Sequence, residues 1–144
     1  MKKIDFISYL ETLTENDWSK KVTSQWSVKD VVAHLTGWEK DDVDAIRSIW
    51  TTKELPWWMK TKNYDDYNKK WVDYYSSYTS GQLLNELKIC QQAVADEINR
   101  IGEANLREYP ELFSWLFDET DKSHYSIHLR QIKEAVSGAR GASI

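Results

Sequence analysis

Cysteine is nearly absent from this chain: Cys90 stands alone among 144 residues. A single thiol excludes an internal disulfide framework and suits a reducing cytoplasm, so a cytoplasmic location is the expectation. Long hydrophobic runs are missing as well. No stretch approaches the roughly 20 apolar residues that span a bilayer. Asp5 and Glu11 interrupt what would have to be the apolar part of a signal peptide after Met1-Lys2-Lys3. No membrane partner is therefore expected. Nor is there a basic excess. The net charge is −4, which argues against nucleic acid as a partner, because backbone binding needs a basic face. The chain also lacks a Gly-rich phosphate loop, a CxxC pair and a serine elbow. Cys90 falls in an apolar helical stripe, away from the exposed electropositive setting of a reactive thiol. Strand-like alternation is absent.

What the chain does have is helical periodicity. Phe6, Tyr9, Leu10 and Leu13 predict a first helix over residues 3–15 that ends at Asn16 and Asp17. Ser27 with Asp30 reads as a capping box that opens a second helix, with Val28, Val31, Val32, Leu35, Ile46 and Ile49 facing inward. Gly37 costs about 1 kcal/mol inside such a helix, so either the helix tolerates it or a neighbour packs closely there. Pro56 forbids continuation. Residues 52–63 read as a loop and 64–75 as a short helix with Tyr67, Trp71 and Tyr74 or Tyr75 on one side. Thr79 and Gln82 open a third main helix with the stripe Leu83, Leu87, Cys90, Val94, Ile98 and Ile101, stopped by Gly102. Residues 103–119, with Pro110, read as a helical turn or an ordered loop. The fourth main helix is expected to start within 120–122 and end before Gly138, with Tyr125, Leu129, Ile132 and Val136 in the core. The sum is an all-α antiparallel four-helix bundle, a single domain over residues 1–144, with an extra short helix between helices two and three.

The chemistry concentrates in His124-Tyr125-Ser126-Ile127-His128. Helical positions four apart sit one turn above the other. Two imidazoles so placed can grip one metal ion, whose nitrogens must come within about 2.0–2.1 Å of it. His34 is the only other histidine, and it lies at the edge of its own apolar stripe. The reading is one metal site made by His34, His124 and His128, with coordination positions left open as in a catalytic zinc centre. Imidazole ligands favour zinc or nickel among divalent ions, with copper also compatible. Structural or surface histidines are the competing reading. Asp41, two turns beyond His34 on the row His34, Trp38, Asp41 and Ala45, is a candidate general base; the alternative is a solvated acid in Glu39-Lys40-Asp41-Asp42. Gln131 can orient a ligand or simply face solvent. Eight tryptophans are present. Trp38, Trp57 and Trp58 are candidates to line a pocket for a small apolar substrate, against plain packing under a long loop. Trp26 and Trp115 are assigned to the core.

Three segments resemble a known family. The stretch from Trp26-Ser27-Val28-Lys29-Asp30 through Ala33-His34-Leu35-Thr36-Gly37-Trp38-Glu39 is similar to the second-helix signature of the DinB/YfiT-like superfamily. Thr120, His124-Tyr125, His128 and Gln131-Ile132 resemble its fourth-helix signature. Tyr67-Asn68 and Trp71-Val72 are similar to its middle segment. The resemblance implies a four-helix bundle, often a homodimer, with a divalent metal held by His34, His124 and His128. Relatives of that kind include S-transferases that use a low-molecular-weight thiol (bacillithiol, mycothiol or glutathione) and maleylpyruvate isomerases. The expected function is thus a metal-dependent enzyme of thiol S-transferase or hydrolase type acting on a small electrophile. The alternative is a non-catalytic metal- or small-ligand-binding module for stress response.

Overall fold

A computed structural model describes residues 3–56, 60 and 64–138. The described chain is helical, with α1 (Lys3–Leu10), α2 (Glu15–Ser19), α3 (Val28–Thr52), α4 (Asp65–Tyr74), α5 (Ser80–Ile101), α6 (Glu103–Arg107), α7 (Pro110–Phe113), a 3-10 turn (Ser114–Leu116) and α8 (His124–Ser137). No strand occurs among the described residues; Lys21 and Ser27 make an isolated antiparallel bridge. Trp57 and Trp58 lie outside the described residues.

The long helices begin where side chains satisfy the free N–H groups of a first turn. Ser27 and Asp30 form the expected capping box at α3, and Thr79 and Gln82 do so at α5. Gly102, at φ 102°, ends α5 in a conformation that a side chain would strain. The first helix is shorter than its periodicity implied. It stops at Leu10 because Thr14 and Asp17 form a capping box of their own and start α2. Thus Asp17 begins a helix where an ending was expected. The last helix starts at His124, later than expected. Asp118 Oδ1 holds the Thr120 N–H and hydroxyl at 2.9 and 2.6 Å, and Ser123 supplies the cap.

The two longest helices, α3 and α5, share the largest interface, and α4 packs across α3. Their apolar stripes form two clusters. One joins Phe6, Leu10, Val31, Leu35, Trp71, Leu83, Leu87 and Ile132 from α1, α3, α4, α5 and α8. The other joins Ile46, Ile49, Val94, Leu106 and Phe113 at the far end of α3 and α5. Burying a large apolar side chain contributes about 1.5–3 kcal/mol, so these clusters hold the helices in register. Cys90 is buried in the α5 stripe, and burial, then nearby Glu86, pushes its thiol up to about 12. It is the inert thiol that the stripe implied. Trp26 and Trp115 are half-buried and pack against the first and second core clusters respectively: Trp26 packs on His34 with ring centroids 5.1 Å apart, and Trp115 donates to Leu112 O at 2.7 Å.

Candidate metal centre

His34 lies in the second turn of α3, within a run of buried residues from Val31 to Gly37. His124 is the first residue of α8 and His128 lies one turn on. The Ser123 cap therefore sets the position of the first ring, and the i, i+4 spacing sets the second. Packing of α3 and α8 over the first core cluster brings the three rings together. Ring centroids are 5.2 Å (His34–His124), 4.8 Å (His34–His128) and 4.7 Å (His124–His128) apart. One nitrogen from each ring falls in a set whose members all lie within 4.8 Å of one another, so the trio can hold a metal ion.

The outer nitrogens decide which way the lone pairs point. His34 Nδ1 is 3.2 Å from Asn68 Oδ1, and Trp38 Nε1 donates to the same oxygen at 2.7 Å. An indole N–H can only donate, so the Asn68 atom is an oxygen and His34 Nδ1 must carry its proton. His34 Nε2 is then a bare lone pair. His128 Nδ1 is 2.8 Å from Gln131 Oε1; donation to that oxygen puts the His128 proton on Nδ1, with no second donor fixing this amide as Trp38 fixes Asn68. The two Nε2 atoms face each other at 3.1 Å. With both protons on Nδ1 the two lone pairs repel unless a positive centre sits beside both; with the His128 proton on Nε2 the contact is an ordinary N–H···N hydrogen bond. A tetrahedral zinc with bonds of about 2.0–2.1 Å spaces its nitrogen ligands about 3.3–3.4 Å apart, so this pair already has nearly the right spacing. The donor set thus fits a divalent ion.

Protonation is disfavoured in all three rings. Burial, then repulsion from His128 and His124, pushes His34 down to about 3, against a smaller upward pull from Asn68. His124 falls to about 4 through burial and then His128, although the residue as a whole is exposed. Burial lowers His128, with Gln131 opposing. Metals bind neutral imidazole, so near pH 7 no proton has to leave first.

The other expected site residues fall in different places. Trp38 packs edge-on against Tyr67 (4.5 Å), Tyr64 (5.3 Å) and His124 (6.0 Å) while bonding Asn68. It joins the histidines to a cavity of about 490 Å3 that Leu35, Trp38, Tyr64, Trp115, His124 and Tyr125 help to line. Gln131 orients His128. Asp41 accepts a hydrogen bond from the Tyr67 hydroxyl, and among the described residues no hydrogen bond ties it to a histidine. Tyr125 points into the core, edge-on to Phe6, and accepts from Gln91 Nε2 at 3.1 Å. Asn68 was missed as a site residue. Its signal was there: it is the amide in the aromatic row Tyr64, Tyr67, Trp71 of a short helix, where only a polar partner would justify it.

Tested against known proteins, the chain matches no family model, no curated sequence and no solved structure.

Proposed function

We propose that this protein is a divalent-metal-dependent enzyme of the thiol S-transferase or hydrolase type, acting on a small electrophile. We further propose that its helices form the antiparallel four-helix bundle of the DinB/YfiT-like superfamily, as a single domain over residues 1–144. The observation that carries the reading is the facing pair of Nε2 lone pairs of His34 and His128, 3.1 Å apart. Asn68, itself held by Trp38, keeps His34 in the form a cation needs, and donation to Gln131 Oε1 supports the same form of His128.

His34, His124 and His128 would hold the ion. When bound, a divalent ion with an open position acidifies a water or thiol ligand and polarises an electrophile. The residues around it do the rest. Asn68 keeps the His34 proton on Nδ1, and Trp38 keeps Asn68 in place. Gln131 does for His128 what Asn68 does for His34. Such partners of ligating histidines typically account for 10–100-fold in metal affinity. Asp41 is bonded to Tyr67, so as a general base it would have to work through an intervening water or substrate group. Zinc or nickel suits three imidazoles.

A catalytic centre is favoured over a closed binding module because His124 is exposed and lines the cavity. An open position facing a cleft is what turnover requires. The test is a conjugation screen with bacillithiol, mycothiol and glutathione against several electrophiles, run with and without zinc or nickel, alongside ester and amide hydrolysis. Metal-dependent turnover that disappears in His128→Ala supports the enzyme. Tight metal binding with no turnover on any substrate returns the protein to the binding-module reading.

A further inference from the structure

The cavity beside the histidines has a charge imbalance. Its charged lining is Glu39, Asp42, Asp118, Glu119, Lys3 and Lys122. Asp118 is taken up by Thr120. Glu39 and Asp42, three apart on α3, share one face of that helix, and both are buried, at 3% and 9% exposure. Among the described residues one ammonium pairs with this couple: Lys3 Nζ lies 2.7 Å from Glu39 Oε1. Among the described residues Glu39 Oε2 is sealed from bulk water and lacks a hydrogen bond of normal geometry, with the Tyr125 hydroxyl interacting with the same carboxyl. A buried carboxylate with incomplete compensation is costly. Burial, then the Glu39 charge, raises Asp42 well above the ordinary carboxyl range, with Lys3 opposing. Two buried carboxyls thus share one ammonium, and the upward shift of Asp42 marks the place where a second cation is missing. Lys3 already shows what fits: its ammonium rests on Glu39 and sits 5.5 Å over the Tyr125 ring. Aromatic faces and carboxylates together attract organic cations.

We propose that this cavity binds a small organic cation, a primary ammonium on an apolar body, with the ammonium against Asp42 and Glu39 and the body along Trp38 and Trp115 toward His124. The proposal gives the substrate of the proposed enzyme its charge. It rests on that reading only in taking the cavity as the substrate's seat, so binding is measured on zinc-loaded and on metal-stripped protein.

The probes are cyclohexylmethylamine, cyclohexylmethanol and cyclohexanecarboxylate, alike in shape and different in charge, followed by tryptophan fluorescence. On metal-stripped protein the ammonium saturates and binds at least about tenfold more tightly than the alcohol, because a partly desolvated charge pair discriminates strongly. Asp42→Asn removes that preference and leaves alcohol binding unchanged. Lys3→Met, which takes away the internal cation, tightens ammonium binding. Equal binding of ammonium and alcohol overturns the proposal, as does tighter binding of the carboxylate or no saturation with millimolar ammonium. So does an undiminished preference in Asp42→Asn. Should Asp42→Asn fail to fold, Lys3→Met decides: unchanged or weaker ammonium binding refutes the assignment. Loss of metal binding with ammonium selectivity intact would defeat the metal reading and leave this one standing.

Discussion

Replacing Gly37 with alanine tests how tightly the site is built. In an exposed helix interior the change should stabilise by about 1 kcal/mol. Here a Cβ would lie 2.0 Å from Trp71 Cγ and 2.1 Å from its Cδ2, whereas carbon atoms rest about 3.5–4.0 Å apart. The indole has little room to turn, being stacked on Tyr75 at 6.0 Å and edge-on to Tyr74 at 5.5 Å. Helix α4 must therefore retreat by roughly 1.5 Å to restore normal contact. That helix carries Asn68, whose bonds to His34 and Trp38 are 3.2 and 2.7 Å long, and such a shift breaks both. Overpacking costs about 1–3 kcal/mol, and two lost hydrogen bonds cost about 1 kcal/mol each. Set against a propensity gain of about 1 kcal/mol, the net loss is about 2–4 kcal/mol. Urea unfolding should show a lower midpoint with an unchanged slope. Metal affinity should fall with it, since His34 loses the partner that fixes its tautomer. In a Trp71→Leu background the same substitution should be neutral or stabilising. An unchanged or raised midpoint for Gly37→Ala in the otherwise native chain would refute the reasoning.

Three further outcomes are expected. Asn68→Leu should weaken zinc binding about 10–100-fold while leaving the helical content intact, whereas Asp41→Asn should leave zinc affinity unchanged, both measured by competition with a chromophoric chelator. Metal-free protein should lose stability as pH falls below the unfolded histidine value of 6.5, because the unfolded chain takes up protons that folded His34 refuses until about pH 3. That contribution is about 1.4 kcal/mol per pH unit; His124 acts in the same direction with less weight because the residue is exposed, and Asp42 acts oppositely. The measurement is the difference between the stability–pH slopes of wild type and His34→Gln between about pH 5 and 6, which should approach that figure; identical slopes would contradict it. Tyr67→Phe should destabilise by about 1.5–3 kcal/mol in urea melts, since it strips a charged acceptor, Asp41, of its donor.

Much of the scaffold was legible because local chemistry dictates it. Ser27 with Asp30 and Thr79 with Gln82 are short-range capping boxes, and Gly102 is a stop that needs no tertiary context. The pairing of His124 with His128 was equally local, being one turn of one helix. Convergence of His34 on that pair was inferred from its place beside the stripe of α3. What could not be read was anything decided by a neighbour across space. Glu39-Lys40-Asp41-Asp42 looks like a solvated run. Yet Glu39 and Asp42 turn inward because their face of α3 meets the cavity, while Lys40 alone is exposed. Asn68 gains its role from two residues of α3, His34 and Trp38, distant in the chain but facing it across the α3–α4 contact. The break between α1 and α2 was legible in principle, since Thr14 and Asp17 have the spacing of a capping box; the apolar stripe running on to Leu13 obscured it. Trp57 and Trp58 lie outside the described residues, so the pocket wall rests on Trp38 and Trp115.

The most direct measurement is the metal content of protein purified without a metal-affinity tag, followed by cobalt(II) substitution and its visible spectrum. Wild type should carry about one divalent ion per chain, and cobalt should show the intense visible bands of a low-coordinate nitrogen site, as expected for three imidazoles and an open position. His34→Ala and His128→Ala should lose both. Equal metal content and unchanged spectra in wild type and the two variants would contradict the claim that these rings converge on one ion.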